Sequence, residues 1–419
     1  MKSERKRNVL WIFGDQHRGQ ALGYRGDPNV RTPVLDNLAR KGRRYDCAVA
    51  GAPWCSPFRG ALLTSSYPHQ NGVIKTPCAL DPSRKTVAHA FRDAGYHTAW
   101  IGKWHLNGSN SGDHLVPPDR RGGFDYWLGY ENNNNQHLSH VHGTGCEEPK
   151  RLEGYETDAL TDLLIEHLEA HVKADSDEDG EYQPFFASLS VQPPHSPYVP
   201  PHEPAYGPPK NPAEVELRRN VPQVPRIEEQ ARLDIAGYSA MVENLDWNIG
   251  RILAALRRLG IDEETWIVFF SDHGDMLGSH GHWEKSAPWE ESIRIPCIIS
   301  DVRGTFLNQS SEAPLNHVDF APTSLGLCGI DPPDWMQGHD YSGMRNDRAP
   351  EPGSAYLQQM VRKHHTLCPN KEWRGVVLRD GWKYVCTPGN DWMLTNPRED
   401  ECELANFVHI SAYQERRAR

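Results

Sequence analysis

Within one short stretch, Cys55-Ser56-Pro57-Phe58-Arg59 sets a potential nucleophile, a rigid turn and a fixed cation side by side, and Gly60 to Thr64 then turns amphipathic. Proline suits the first turn of a helix, where its missing N–H costs nothing, so Cys55 is expected at a helix N-terminus among unpaired backbone donors. Such a corner favours anions. Arg59, one turn on, points back toward it and can hold an oxyanion or brace the side chain at position 55. The alternative is a buried structural thiol, the common fate of cysteine in a packed core.

Other reactive residues follow apolar runs. Val9 to Phe13, bounded by charge before and Gly14 after, reads as a strand buried on both faces, with Asp15 and Gln16 at its exit. Two oxygen donors there suit a hard cation, although Asp15 alone would serve equally well as a loop cap. Thr98 to Ile101 runs into Gly102-Lys103-Trp104-His105, where Lys103 can neutralise an anionic oxygen and His105 can move protons near neutrality. Phe185 to Val191 leads to His195, fixed between prolines. Thr265 to Phe270 delivers Asp272 and His273, a plausible oxygen and nitrogen set with Asp15 and Gln16. In an open parallel sheet the carboxyl ends of strands share one edge, where ligands bind.

Cys55-x-Pro57-x-Arg59 with Leu62-Leu63-Thr64, together with Gly102-Lys103-Trp104-His105, resembles the signature of the type I, formylglycine-dependent sulfatases of the alkaline phosphatase superfamily. Phe58 stands where Ser or Ala is usual, and Ser65 where Gly is usual. The resemblance implies that a formylglycine-generating or sulfatase-maturing enzyme oxidises Cys55 to formylglycine, whose hydrated aldehyde is the nucleophile. It also implies one divalent cation, Ca²⁺ with Mn²⁺ or Mg²⁺ as alternatives, held by Asp15, Gln16, Cys55, Asp272 and His273. His195 matches the family's sulfate-contacting Pro-His element, and Lys285, in Gly281-His282-Trp283-Glu284-Lys285, matches its lysine element. The implied catalytic set is then Cys55, Arg59, Lys103, His105, His195 and Lys285. The implied activity is hydrolysis of a sulfate monoester of a carbohydrate or of an aryl or alkyl alcohol. Gln16 and His273, in place of the commoner Asp and Asn, keep open a phosphonate monoester or phosphodiester hydrolase of the same superfamily. His105 argues against that alternative, because those hydrolases lack the histidine here.

The elements that must position these groups are expected to form an α/β fold, a large and mostly parallel sheet flanked by helices. Helices are expected from Thr32-Pro33 to Gly42, from Thr86 to Gly95, over Thr157 to Val172 ahead of an acidic loop at Asp175 to Glu181, and over Ile235 to Leu259, with a short strand at Tyr45 to Val49. Residues 199–225 read as an extended surface segment. Residues 107–150 read as a substrate-contacting loop, since His114, His137, His140 and His142 have no compact ligand spacing. Two units are expected, a catalytic domain over 1–340 and a C-terminal subdomain over 341–419. The second contains a hairpin turned at Asp380-Gly381 and echoes the small antiparallel sheet with one helix seen in sulfatases.

The chain has 419 residues, of which 37% are hydrophobic and 24% charged, as in an ordinary globular protein. A net charge of −11 gives no support to nucleic-acid binding. No apolar run reaches membrane-spanning length, and Val9 to Phe13 is too short for a signal peptide. Nine cysteines without framework spacing fit a reducing compartment, so a cytoplasmic location is expected.

Overall fold

Continuous burial on both faces is what an inner strand of a parallel sheet demands, and the four apolar runs meet it. In the computed structural model, which describes residues 6–111, 114–177, 183–202, 207–344, 351–362 and 369–418, they form Asn8–Gly14, His97–Lys103, Phe185–Val191 and Thr265–Ser271. Apart from His97, every residue in them is buried. They lie side by side and parallel, in the spatial order Thr265–Ser271, Asn8–Gly14, Phe185–Val191, His97–Lys103. Gly14 pairs with both Ser271 and Val191, and Gly102 pairs with Ser190, so the four strands finish level. The residues that follow them therefore emerge along one edge.

Side chains alternate across this sheet and each face gathers its own core. Trp11, Phe13, Trp100, Phe186 and Phe270 point to one side, where the helices Cys55–Thr64, Val87–Asp93 and Phe320–Leu327 pack. Leu10, Ile12, Ile101, Leu189 and Phe269 point to the other, under Pro33–Lys41, Glu156–Asp177 and Pro225–Leu259. Outer strands complete a ten-stranded sheet among the described residues. Cys297–Ser300, Arg43–Tyr45 and Gln309–Ser311 extend it on one side, and Tyr126–Tyr130, His140–Gly143 and Cys146–Arg151 on the other.

Four expectations shift in detail, and the first is that residues 107–150, expected as a loop, carry the strands Tyr126–Tyr130 and His140–Gly143 and most of Cys146–Arg151. The strand expected at Tyr45 to Val49 is Arg43–Tyr45 instead, and Val49 makes only isolated bridges to Arg294 and Asn316 as the chain turns toward Cys55. The longest helix starts at Pro225, ahead of Ile235. Its first turns, Pro225-Arg226-Ile227-Glu228-Glu229-Gln230, are mostly polar and carry no apolar stripe, so their helicity leaves no periodic signal. The helix over 157–172 runs on to Asp177, so the acidic loop does not begin at Asp175, and its remainder at 178–182 lies outside the described residues.

A second sheet of four antiparallel strands, Ser354–Gln359, Trp373–Leu378, Lys383–Thr387 and Asn390–Thr395, is followed by the short helix Gln414–Ala418. Gly381, with φ 93°, makes the expected hairpin turn. Ala355, Leu357, Trp373, Val377, Val385 and Met393 pack on Val49 and Ile293 of the large unit. Tyr341, at the proposed boundary, is itself buried in the large core.

An ion cluster fastens the contact. Lys383, fully buried, lies 3.0 Å from Glu290 Oε1 and 2.7 Å from Glu403 Oε1, and Glu290 also holds Arg294 at 2.6 Å. Replacing Lys383 with Met would leave buried Glu403 without a cation and Glu290 with Arg294 alone. Lys383→Met is expected to lower the unfolding free energy by about 3–5 kcal/mol in urea titrations; an unchanged value would show that water already neutralises the cluster.

Candidate active site

The helix Cys55–Thr64 is buried along its whole length and begins at the level edge of the sheet. Its first residue places the Cys55 sulfur 3.3 Å from His273 Nε2 and 3.7 Å from Asp15 Oδ1. Asp15 and Asp272 leave adjacent strands, and the backbone N–H of Gln16 donates to Asp272 Oδ1 at 3.0 Å. Gln16 adopts φ 73°, a left-handed conformation that a non-glycine residue keeps only where its surroundings enforce it.

Arg59 sits one turn into the helix, fully buried, and binds in several directions. Its Nη2 lies 3.2 Å from Asp15 Oδ2 and 3.4 Å from Asp272 Oδ2, and its Nη1 donates to the Lys103 carbonyl at 2.9 Å and to Ser190 Oγ at 2.8 Å. Lys103 Nζ donates to the same Asp15 Oδ2 at 2.6 Å. Burial alone would raise the Asp15 pKa, but Lys103 and the neighbouring histidines hold it well below the usual carboxylate range. Asp272 goes the other way, pushed up by burial and then by the Asp15 charge.

His273 Nδ1–H donates to the Gly274 carbonyl at 3.1 Å, so in the neutral ring Nε2 carries the lone pair. That nitrogen lies 3.6 Å from both Asp15 Oδ1 and Asp272 Oδ1. Ligand atoms of Asp15, Cys55, Asp272 and His273 all fall within 4.8 Å of one another, and all four residues are buried. Two carboxylates, an imidazole lone pair fixed by a carbonyl behind it and one further group fit a divalent cation. Gln16, expected among the ligands, has its amide engaged elsewhere. Its Oε1 accepts from Lys285 Nζ at 2.5 Å, and its Nε2 donates to Asp275 Oδ2 at 2.5 Å.

Lys285 Nζ also donates to His195 Nε2 at 2.5 Å, and His195 Nδ1–H donates to the Ser196 carbonyl at 2.6 Å. Burial and then the Lys285 charge hold His195 below its ordinary pKa, and Nε2, accepting from an ammonium, keeps its lone pair. Burial would likewise depress Lys285, but Cys55 and Asp15 outweigh it and raise the ammonium. The Cys55 thiol is lowered well below its usual value. Burial and Asp15 oppose this, while Lys285, Lys103 and His273 prevail. His105 lies at the same corner, below its ordinary pKa through burial, with the Cys55 thiol acting against that shift.

All ten residues singled out in the sequence thus belong to one connected set. Three others were missed there. Asp275 accepts from Gln16, from Tyr198 Oη at 2.6 Å and from the backbone N–H groups of Leu277 and Glu284, and its signal was its place in the same exit loop as Asp272. Ser190 betrays itself as a polar residue near the end of an apolar strand. Asn110, which meets His105, had no signal beyond the polarity of its loop. The four histidines of 107–150 do not gather: His142 Nε2 accepts from Val116 N–H, while His137 stacks on His202. A cavity of about 730 Å³, lined by Arg18, Arg218, Arg294 and Arg398 among others, contains none of the residues around Cys55.

A model of the family described as Sulfatase matches residues 7–330, and one described as N-sulphoglucosamine sulphohydrolase, C-terminal, matches 278–419. The chain belongs to the sulfatase family. This sulfatase is a sulfuric ester hydrolase, and it is 34% identical over 410 residues to an ulvan-active sulfatase of Formosa agariphila, covering 96% of its own length and 77% of the relative's. A protein solved with its substrate D-glucosamine-2-N,6-O-disulfate shares the fold with a TM-score of 0.82 at 23% identity, covering 99% and 96% of the two chains. The phosphonate monoester hydrolase of Agrobacterium radiobacter is more distant, with a TM-score of 0.75 at 22% identity over 99% and 94% of the two chains.

Added Ca²⁺ or Mn²⁺ is expected to raise the melting temperature of the wild-type sulfatase and to leave Asp272→Asn unmoved, as read by scanning fluorimetry. Equal shifts in both proteins would detach these four residues from metal binding.

Proposed function

We propose that this sulfatase hydrolyses sulfate monoesters of saccharides, with residue 55, converted to formylglycine by a maturing enzyme, as its nucleophile. The observation that carries the proposal is the approach of the Cys55 sulfur to Asp15 Oδ1 and His273 Nε2 in a corner ringed by Arg59, Lys103 and Lys285. The saccharide part is supported by the ulvan-active relative and by the Asn, His and Tyr content of 107–150 and 199–225.

A sulfate monoester resists hydrolysis because its charge repels nucleophiles and its alkoxide leaves poorly, so the site must supply cations and an acid. A divalent cation at Asp15, Asp272, His273 and residue 55, with Gln16 beside them, is proposed as Ca²⁺ for its oxygen-rich donors, Mn²⁺ or Mg²⁺ being alternatives, and would polarise a sulfate oxygen and acidify a hydroxyl of residue 55. Asp272, beside residue 55 and Asp15, would take the proton of the attacking hydroxyl. Lys103 and Lys285 offset the charge of the sulfate, while Arg59 fixes the carboxylates about residue 55. The departing alcohol would take its proton from the Lys285–His195 pair, the Lys285 ammonium supplying it while His195 Nε2 holds that ammonium in place. His105 takes the proton of the second hydroxyl, so that sulfate leaves and the aldehyde returns. A thiol has no second hydroxyl, so an unconverted Cys55 cannot complete the cycle.

The phosphonate reading keeps in its favour the shared fold and the glutamine and histidine at positions 16 and 273. His105, placed at the residue 55 corner, favours the sulfate reading. Matured enzyme is expected to release sulfate from aryl sulfates and sulfated saccharides, to turn over an aryl phosphonate about a hundredfold more slowly, and to lose all turnover in Cys55→Ala. Faster cleavage of the phosphonate, or activity in Cys55→Ala, would overturn the reading.

A further inference from the structure

Asn110 lies in the polar stretch after the strand His97–Lys103 and has no role in the mechanism above. Its Oδ1 stands 2.9 Å from Nε2 of His105. An amide oxygen can only accept, so this contact puts the imidazole proton on Nε2 and leaves Nδ1 with the lone pair. Nδ1 is buried without a partner of regular hydrogen-bond geometry, Cys55 is the other side chain that hydrogen-bonds the ring, and His105 as a whole is 3% exposed. The residue also holds φ 57°, a left-handed backbone that its surroundings must maintain.

The loop that brings Asn110 to this nitrogen is braced from below. Glu131, itself buried, accepts through Oε1 from the backbone N–H of Asn107 at 2.7 Å and of Ser109 at 3.1 Å. The Asn132 side chain donates to the Asn110 carbonyl at 3.4 Å. A carboxylate at the end of the neighbouring strand Tyr126–Tyr130 is thus committed to the backbone on which Asn110 sits.

We propose that Asn110 is a positioning residue that fixes the tautomer of His105, keeping Nδ1 free to accept a proton from residue 55 as sulfate departs. The proposal rests on the formylglycine reading and deepens it. In that step the proton of the remaining hydroxyl passes to Nδ1, and the electron pair of its O–H bond becomes the second bond of the aldehyde carbonyl. The bond from carbon to the sulfate oxygen breaks, its pair leaving with sulfate, and water then rehydrates the aldehyde. With the proton on Nδ1 instead, the ring has no lone pair to offer there.

Matured Asn110→Leu is expected to lower kcat roughly ten- to a hundredfold while kcat/KM changes little, because transfer of the sulfuryl group precedes the affected step. Its chain should carry the added mass of one sulfuryl group during turnover. Asn110→Asp, which keeps the acceptor, should restore kcat. Nitrogen-15 NMR of His105 should show the Nε2–H form in the wild type and in Asn110→Asp, and its loss in Asn110→Leu. An equal fall in kcat and kcat/KM without sulfated chain, or an Asn110→Leu enzyme as fast as the converted wild type, would overturn the role of Asn110. Turnover by a wild-type chain that mass spectrometry shows with Cys55 unconverted would instead overturn the nucleophile beneath it.

Discussion

Two fully buried carboxylates, Asp15 and Asp272, share the corner on which the rest of this sulfatase depends. Like charges at such range cannot both persist in a buried site without compensation. Arg59 supplies it structurally, with one guanidinium nitrogen reaching both carboxylates and the other tied to the Lys103 carbonyl and Ser190. The guanidinium suits this work better than an ammonium because its planar fork can serve several acceptors at once. Because Arg59 belongs to the same helix as Cys55, the contact that quiets the carboxylates also sets the position of the reactive residue.

Around this centre the two lysines are held by different partners. Lys103 is bound to Asp15, near the metal-type donors, whereas Lys285 reaches away through Gln16 and His195. His195 and His105 differ in the same way. The first has its Nε2 occupied by Lys285, and the second has its Nε2 occupied by Asn110. Two neutral imidazoles, each oriented by a different neighbour, thereby present different faces to one small space.

Much of this was legible because buried parallel strands read as unbroken apolar runs, and the four that matter are bounded by charge or glycine and followed by ionisable residues. The motif around Cys55 and Lys103 added the family. Less could be read where a residue's partner is distant in the chain. Gln16 stands beside Asp15 in the chain, but the direction of its amide is decided by Asp275 and Lys285, far along the sequence. The start of the long helix at Pro225 was hidden for the opposite reason, since its polar first turns pack against little and leave no pattern. Lys383 is the plainest case: a lysine in a short strand reads as a solvated residue, and only the approach of Glu290 and Glu403 from other segments makes it a buried tie.

The level finish of the four inner strands limits how such an enzyme can change over evolutionary time. A single-residue insertion or deletion inside any of them would turn that strand's core side chains toward the wrong face and shift its reactive residue along the edge. Lengthening the segments beyond the edge leaves the pairing untouched. New substrate preferences in descendants of this chain are therefore open to the rim, above all to the stretch between His105 and the strand Tyr126–Tyr130, while the platform beneath it stays frozen in length.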